Sequence, residues 1–323
     1  MIPRLLSRLS CLLALGLAAG AAHAAGFQRL NLPMDQNGPG LNGAIWYPCA
    51  APASDIKIGR VTITGALNCP APVGPHPLIV MSHGSGGSFL SHHDTAEALA
   101  NAGFIVAAIN HVGDNAQDRS RQGYLSIFST RPREVRRLID YMTGVWPGKS
   151  GLDPDKIGFF GFSRGGYTGL VLAGAEPDFQ AGLALCKDEP PLPMCRDIAS
   201  GKAPKQSYVH DTRIKAAVIA DPLNVFSGES LKRVAIPVQL WASEQGGDGV
   251  TPASVAAVRA GLGTAPDYRV AGGAGHFAFL APCSAELAET LPGICRDPAG
   301  FDRAAFHRDL NAQVEAYFKQ WLQ

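Results

Sequence analysis

The chain has 323 residues, of which 46% are hydrophobic and 17% charged, and its formal net charge is +1. This composition belongs to a globular protein and excludes intrinsic disorder. With no long basic stripe, it also argues against nucleic acid as a partner. The densest charge run is Arg131, Arg133, Arg136 and Arg137, which reads as the solvated face of a helix.

Taken in chain order, the first signal is a leader. Arg4 and Arg8 precede an apolar run over residues 9–22, and Ala22-His23-Ala24 supplies a small-x-small cleavage pattern. Residues 1–24 therefore read as a secretory signal, cut after Ala24, with export to the periplasm or medium. The run is too short for a membrane span, and no later stretch reaches spanning length, so no stable membrane anchor is expected. Of seven cysteines, Cys11 lies in the leader. The other six fall into three neighbouring pairs, and in an exported chain they predict the disulfides Cys49–Cys69, Cys186–Cys195 and Cys283–Cys295.

Residues 25–323 read as one domain. Residues 26–77 carry short β-type runs and turn residues, which predict antiparallel strands opening a sheet. Short apolar strands then alternate with helices. Strands are predicted at 78–81, 104–109, 157–160, 216–220, 238–241 and 268–270, and helices at 94–102, 133–142, from 167, at 254–261 and at 306–322. Such alternation implies an α/β fold with a mostly parallel sheet and helices on both faces. Residues 176–213 interrupt the rhythm. They read as a lid-like insertion near the site mouth, with a plain surface excursion as the alternative.

Ligands bind beyond the carboxyl ends of parallel strands, so the residues after each strand carry the chemistry. Gly161-Phe162-Ser163-Arg164-Gly165 is a G-x-S-x-G between a strand and a helix, the pattern of a nucleophile elbow. Its turn is so tight that the neighbours of the serine must be small. His83-Gly84-Ser85-Gly86-Gly87 follows the 78–81 strand as an HG-type glycine turn. The two predict an oxyanion hole from the backbone N–H groups of Ser85 and Arg164. His83 itself reads as structural. His276, after the last strand, satisfies the order Ser, acid, His and is the expected general base. Asp248 is the preferred acid, because it follows the 238–241 strand in an Asp-Gly-Val-Thr-Pro turn. Asp221 and Glu244 remain alternatives.

These motifs, with Pro237-Val238-Gln239-Leu240-Trp241 and the run from Gly273 to Cys283, resemble exported dienelactone-hydrolase-like α/β-hydrolases, which are also similar to platelet-activating-factor acetylhydrolases. Dienelactone hydrolases use a cysteine nucleophile where this chain has Ser163, so dienelactone is not implied as substrate. The resemblance implies the α/β-hydrolase fold and a Ser-His-Asp enzyme that cleaves small-molecule carboxylic esters without metal or organic cofactor. Amide or thioester cleavage, and a non-catalytic ligand-binding role, stand as alternatives. The oligomeric state is not read from the sequence.

Overall fold

The computed structural model describes residues 24–180, 183, 186, 193–202 and 208–323. The leader, apart from Ala24, and much of the 176–213 segment lie outside them. Ten strands form one sheet: β1 (Ala24–Leu32), β2 (Leu41–Cys49), β3 (Ser54–Ile58), β4 (Val61–Leu67), β5 (His76–Ser82), β6 (Ile105–Ile109), β7 (Leu152–Phe162), β8 (Ile214–Ala220), β9 (Val238–Ser243) and β10 (Asp267–Ala271). Their order is β10-β9-β8-β7-β5-β6-β2-β1-β4-β3. Neighbours from β10 to β6 are parallel. The β1–β2, β2–β6 and β3–β4 pairs are antiparallel. This is the expected mixed sheet with antiparallel N-terminal strands.

The helices are α1 (His93–Asn101), α2 (Ser126–Gly144), α3 (Arg164–Leu172), α4 (Pro193–Ala199), α5 (Gly228–Leu231), α6 (Pro252–Gly261), α7 (Ala285–Thr290), α8 (Pro292–Cys295) and α9 (Arg303–Leu322). Side chains alternate across each strand, so a strand covered on both faces is apolar throughout. Leu78 and Val80 of β5 join Leu138 of α2 and Leu170 of α3 in one core. Ile79 and Met81 join Leu99 of α1 and Phe318 of α9 in the other. No helix among the described residues is long and apolar enough to cross a membrane.

The three expected disulfides are present: Cys49–Cys69, Cys186–Cys195 and Cys283–Cys295. Of the 176–213 segment, α4 buries Met194, Cys195 and Ile198, and the Met194 N–H donates to the Gly123 carbonyl at 2.8 Å.

The arginine run departs from expectation. Helix α2 starts seven residues before the predicted 133, and Arg131 is fully buried, Arg137 nearly so and Arg133 half-buried, so that of the four only Arg136 is exposed. Arg137 pins the β1–β2 connection by donating to the Pro39 carbonyl at 2.7 Å and to Asp35 at 3.2 Å. Pro132 lies inside the helix and has no N–H for the Phe128 carbonyl four residues back. The Tyr167 hydroxyl of α3 donates to that carbonyl instead, at 3.1 Å. A proline that sequence reasoning takes for a boundary is thus carried by a neighbouring helix.

Candidate active site

Strand β7 ends at Phe162, and Ser163 turns the chain into α3 with φ 56° and ψ −117°. A non-glycine residue there is strained, and the surroundings must hold it. The Ser163 N–H donates to the Ala220 carbonyl at 2.9 Å, and its carbonyl accepts from the N–H groups of Tyr167 and Leu223. The turn closes only because Gly161 and Gly165 lack side chains. A Cβ on Gly165 would run into the Ser82 carbonyl, and one on Gly161 into the Gly165 carbonyl. Ser163 stands at the N-cap position, yet its hydroxyl does not cap the helix. The Ser163 hydroxyl therefore leaves the first N–H groups of α3, beginning with Arg164, uncapped, and a helix N-terminus favours negative charge.

His276 is reached from the other edge of the sheet. It opens a short 3-10 turn, His276–Phe279, after β10. Its N–H donates to the Gly246 carbonyl at 2.8 Å, and the Gln245 N–H donates to the Ala274 carbonyl at 3.0 Å, so the loops after β9 and β10 brace each other. Its ring packs on Phe162, the residue before the serine, with centroids 4.6 Å apart. Nδ1 lies 2.6 Å from Oδ2 of Asp221. Nε2 is buried and has no hydrogen-bond partner.

The carboxylate that meets the imidazole is Asp221, at the end of β8, and not the preferred Asp248. Asp221 is fully buried with φ 45°. It accepts the Ser243 N–H at 2.9 Å and the Ser243 hydroxyl at 2.7 Å. Its own N–H donates to the Trp241 carbonyl at 2.9 Å, which fixes it beside β9. Asp248 is exposed, in a turn closed by hydrogen bonds between Gly247 and Val250. The Asp-Gly-Val-Thr-Pro pattern that recommended it serves α6 instead: Thr251 is the N-cap, Pro252 follows at the first helical position, and Thr251 and Ser254 form a capping box. Glu244, also exposed, accepts the Gly273 N–H at 2.6 Å and supports the histidine loop without reaching the ring.

The glycine turn after β5 lies against the elbow. A Cβ on Gly84 would sit 3.4 Å from the Ser163 Cβ. The turn is held by an ion cluster that sequence reasoning missed. Asp114, in the loop after β6, accepts the Gly86 N–H at 3.1 Å and the Ser85 hydroxyl at 3.3 Å. Its other oxygen accepts Arg131 Nε and Arg164 Nη1, each at 3.0 Å. Arg131 also donates to the His83 carbonyl at 2.6 Å and the Gly84 carbonyl at 3.0 Å. One buried carboxylate thus joins both predicted oxyanion donors' residues, Ser85 and Arg164. Burial raises the Asp114 pKa, but Arg131 and Arg164 outweigh it and hold the carboxyl well below its usual range. Burial brings Arg131 down to about 10, with Asp114 pulling the other way. Asp114 was accessible to sequence reasoning only as one more carboxylate after a strand. Arg131 gave no signal, because its partner is seventeen residues away.

His83 is buried, and burial together with the Arg131 charge holds its pKa well below the ordinary value. The neutral ring fits its contacts: Nδ1 lies 2.6 Å from the Gly84 carbonyl, and Nε2 accepts the His111 N–H at 3.2 Å. Two cavities border the site. One, of about 400 Å³, touches Gly86 and Gly87; the other, of about 340 Å³, touches His276 and Gly247. Ser163, 5% exposed, lines neither.

Known proteins resemble parts of this chain. Residues 74–191 match the family profile described as serine aminopeptidase, S33. A protein of Nocardia uniformis subsp. tsuyamanensis, NocK, provisionally named an esterase, is 30% identical over 48% of this chain and 42% of its own length. The platelet-activating factor acetylhydrolases of Cavia porcellus and Canis lupus familiaris are 26% and 27% identical, each over 39% of this chain and 38% of theirs. The chain thus matches only about two fifths of the length of these curated relatives. Among solved structures, a ferulic acid esterase from Streptomyces cinnamoneus superposes with a TM-score of 0.63 at 18% identity, over 94% of this chain and 91% of that one. At that identity the likeness is one of fold.

Proposed function

We propose that this chain, which has the α/β-hydrolase fold, hydrolyses carboxylic esters through an acyl-enzyme on Ser163. The observation that carries the reading is a single one. A strained, non-capping serine sits on a strand whose neighbour, β8, ends in the carboxylate that holds a histidine with a free Nε2.

In this mechanism His276 Nε2 takes the proton from the Ser163 hydroxyl as its oxygen attacks the ester carbonyl. Asp221 keeps the proton of the imidazole on Nδ1 and stabilises the imidazolium. Ser243 donates two further hydrogen bonds to the carboxylate and holds Asp221 in place. The N–H groups of Ser85 and Arg164 receive the oxyanion. His276 returns its proton to the leaving alcohol, then activates water, and the acid is released. The residue set calls on no metal or cofactor.

The matching family is named for a peptidase, and the same parts cleave amides. Amide substrates therefore belong in the same screen. The three disulfides suit an oxidising compartment, and with the leader pattern they make export part of the proposal. The test is twofold. A fluorophosphonate probe should label Ser163 covalently, and Ser163→Ala should lose turnover of p-nitrophenyl esters by about a millionfold while staying folded. Folded wild-type protein that is inert to the probe would favour a binding role. Turnover of p-nitroanilides above that of the esters would favour amide cleavage.

A further inference from the structure

The 400 Å³ cavity beside the glycine turn is walled on one side by Gly86, Gly87 and Leu90 and on the other by Leu287, Leu291 and Ile294. The second wall is unusual in how it is held. Helices α7 and α8 bury none of their residues, so no core packing fixes them. Their segment is tied at its ends, by the Cys283–Cys295 disulfide and by Arg303, which donates to the Ile294 carbonyl at 3.0 Å and pairs with Asp297 at 2.7 Å. Three aliphatic side chains on such a segment add nothing to the core, and they face the cavity instead.

The first wall is continuous with the chemistry. The turn that supplies Gly86 and Gly87 presses Gly84 against the Ser163 Cβ, and its Gly86 N–H is fixed by Asp114. The cavity touches this turn at Gly86, two residues beyond Gly84. At about 30 Å³ per water-sized group, the volume takes on the order of a dozen non-hydrogen atoms, within the size range of small-ligand sites.

We infer that this cavity receives the apolar part of the ester, and that the segment closed by Cys283–Cys295 sets its length, so that the substrate class is esters of medium-chain or aromatic groups. The inference rests on Ser163 being the nucleophile.

The experiment compares kcat/KM for p-nitrophenyl acetate through octanoate in the wild type, in Leu287→Asp and in Cys283→Ser/Cys295→Ser. In the wild type kcat/KM should rise about threefold per methylene until the cavity fills. In Leu287→Asp the octanoate-to-acetate ratio should fall by at least about tenfold, mainly through KM. The double cysteine variant should move the ratio in the same direction. Leu287 packs into no core, so its variant folds even if the cysteine variant does not. A flat wild-type profile, or a ratio that Leu287→Asp leaves unchanged, overturns the inference. Labelling of Ser163 by a short fluorophosphonate separates the two failures. Labelling with a flat profile sinks the cavity alone, and no labelling of folded protein sinks the nucleophile and the cavity together.

Discussion

Among the described residues, two sets of serine, histidine and carboxylate differ in an instructive way. At Ser163 the histidine pairs with Asp221, but its Nε2 has no partner. One strand over, Ser82 Oγ lies 2.7 Å from His111 Nε2, and His111 Nδ1 lies 2.7 Å from Glu134 Oε2. By hydrogen bonds alone the second set is the more complete. It nevertheless sits inside the protein, with Ser82 and His111 fully buried. Ser82 lies in regular β5, without the strained turn or the helix N-terminus that Ser163 has. A third pair, His307 with Asp94 at 2.6 Å, has its Nε2 occupied by the Ala278 carbonyl at 2.8 Å. A carboxylate-oriented histidine is thus a common way to satisfy buried polar groups. A serine on a strained turn, a free base and nearby anion donors are what turn one into a site.

The comparison breaks most decisively at the acid. Asp221→Asn keeps the shape but reverses the hydrogen bonding to the ring, and kcat should fall by about 10⁴. Asp248→Asn, on an exposed turn, should stay within about twofold of wild type. Steady-state kinetics on the two variants checks it, and the opposite ranking would return the role to Asp248.

The next effect lies in the ion cluster. Asp114→Asn removes the charge that joins Ser85, Gly86, Arg131 and Arg164. If the cluster positions the oxyanion donors, kcat should fall by about a hundredfold with little change in KM. The variant also leaves Arg131 buried without its counter-ion, so stability should drop by about 3–5 kcal/mol. A stability loss with kcat intact would reduce the cluster to scaffolding.

The smaller effects test the second set. Ser82→Ala should cost about 1–3 kcal/mol in urea denaturation, because it strands the His111 nitrogen, and should leave ester turnover within about twofold. Its pH behaviour is distinctive. Burial pushes Glu134 up to about 7 against the pull of Arg131, so its contribution to stability is present at low pH and lost as pH rises through 7. Burial, aided by the Arg131 charge, holds His111 well below 6.5, so its contribution is present above 6.5 and lost as pH falls. Between about 4.5 and 6.5 the two oppose each other, and the pair should add little net slope. Glu134→Gln leaves His111 alone. Its stability should then fall as pH drops from 6.5 to 5, by up to about 1.4 kcal/mol per unit, relative to wild type. Urea midpoints at both pH values decide it, and parallel profiles would show that the pair is not coupled in this way.

What the sequence by itself determined is whatever depends on neighbours along the chain. The strand-and-helix alternation follows from local apolar periodicity. The elbow follows from Gly161 and Gly165, because a tight turn tolerates no side chain there whatever packs around it. The disulfides joined cysteines no more than 20 residues apart, where loop closure leaves few competitors. What only the tertiary structure decided are the partnerships across the sheet. Asp221 and His276 are 55 residues apart, and whether β8 or β9 delivers the carboxylate depends on strand ends, twist and the reach of the β10 loop, none of which leaves a local mark. The sequence pattern at Asp248 was real, but it encoded a helix cap. The arginine run was also real, but burial of a charge is set by its counter-ion, and Asp114 reaches Arg131 only once β6 and α2 have packed. Local pattern specifies backbone shape, and the pairing of distant charges waits for the fold to bring them within a few ångströms.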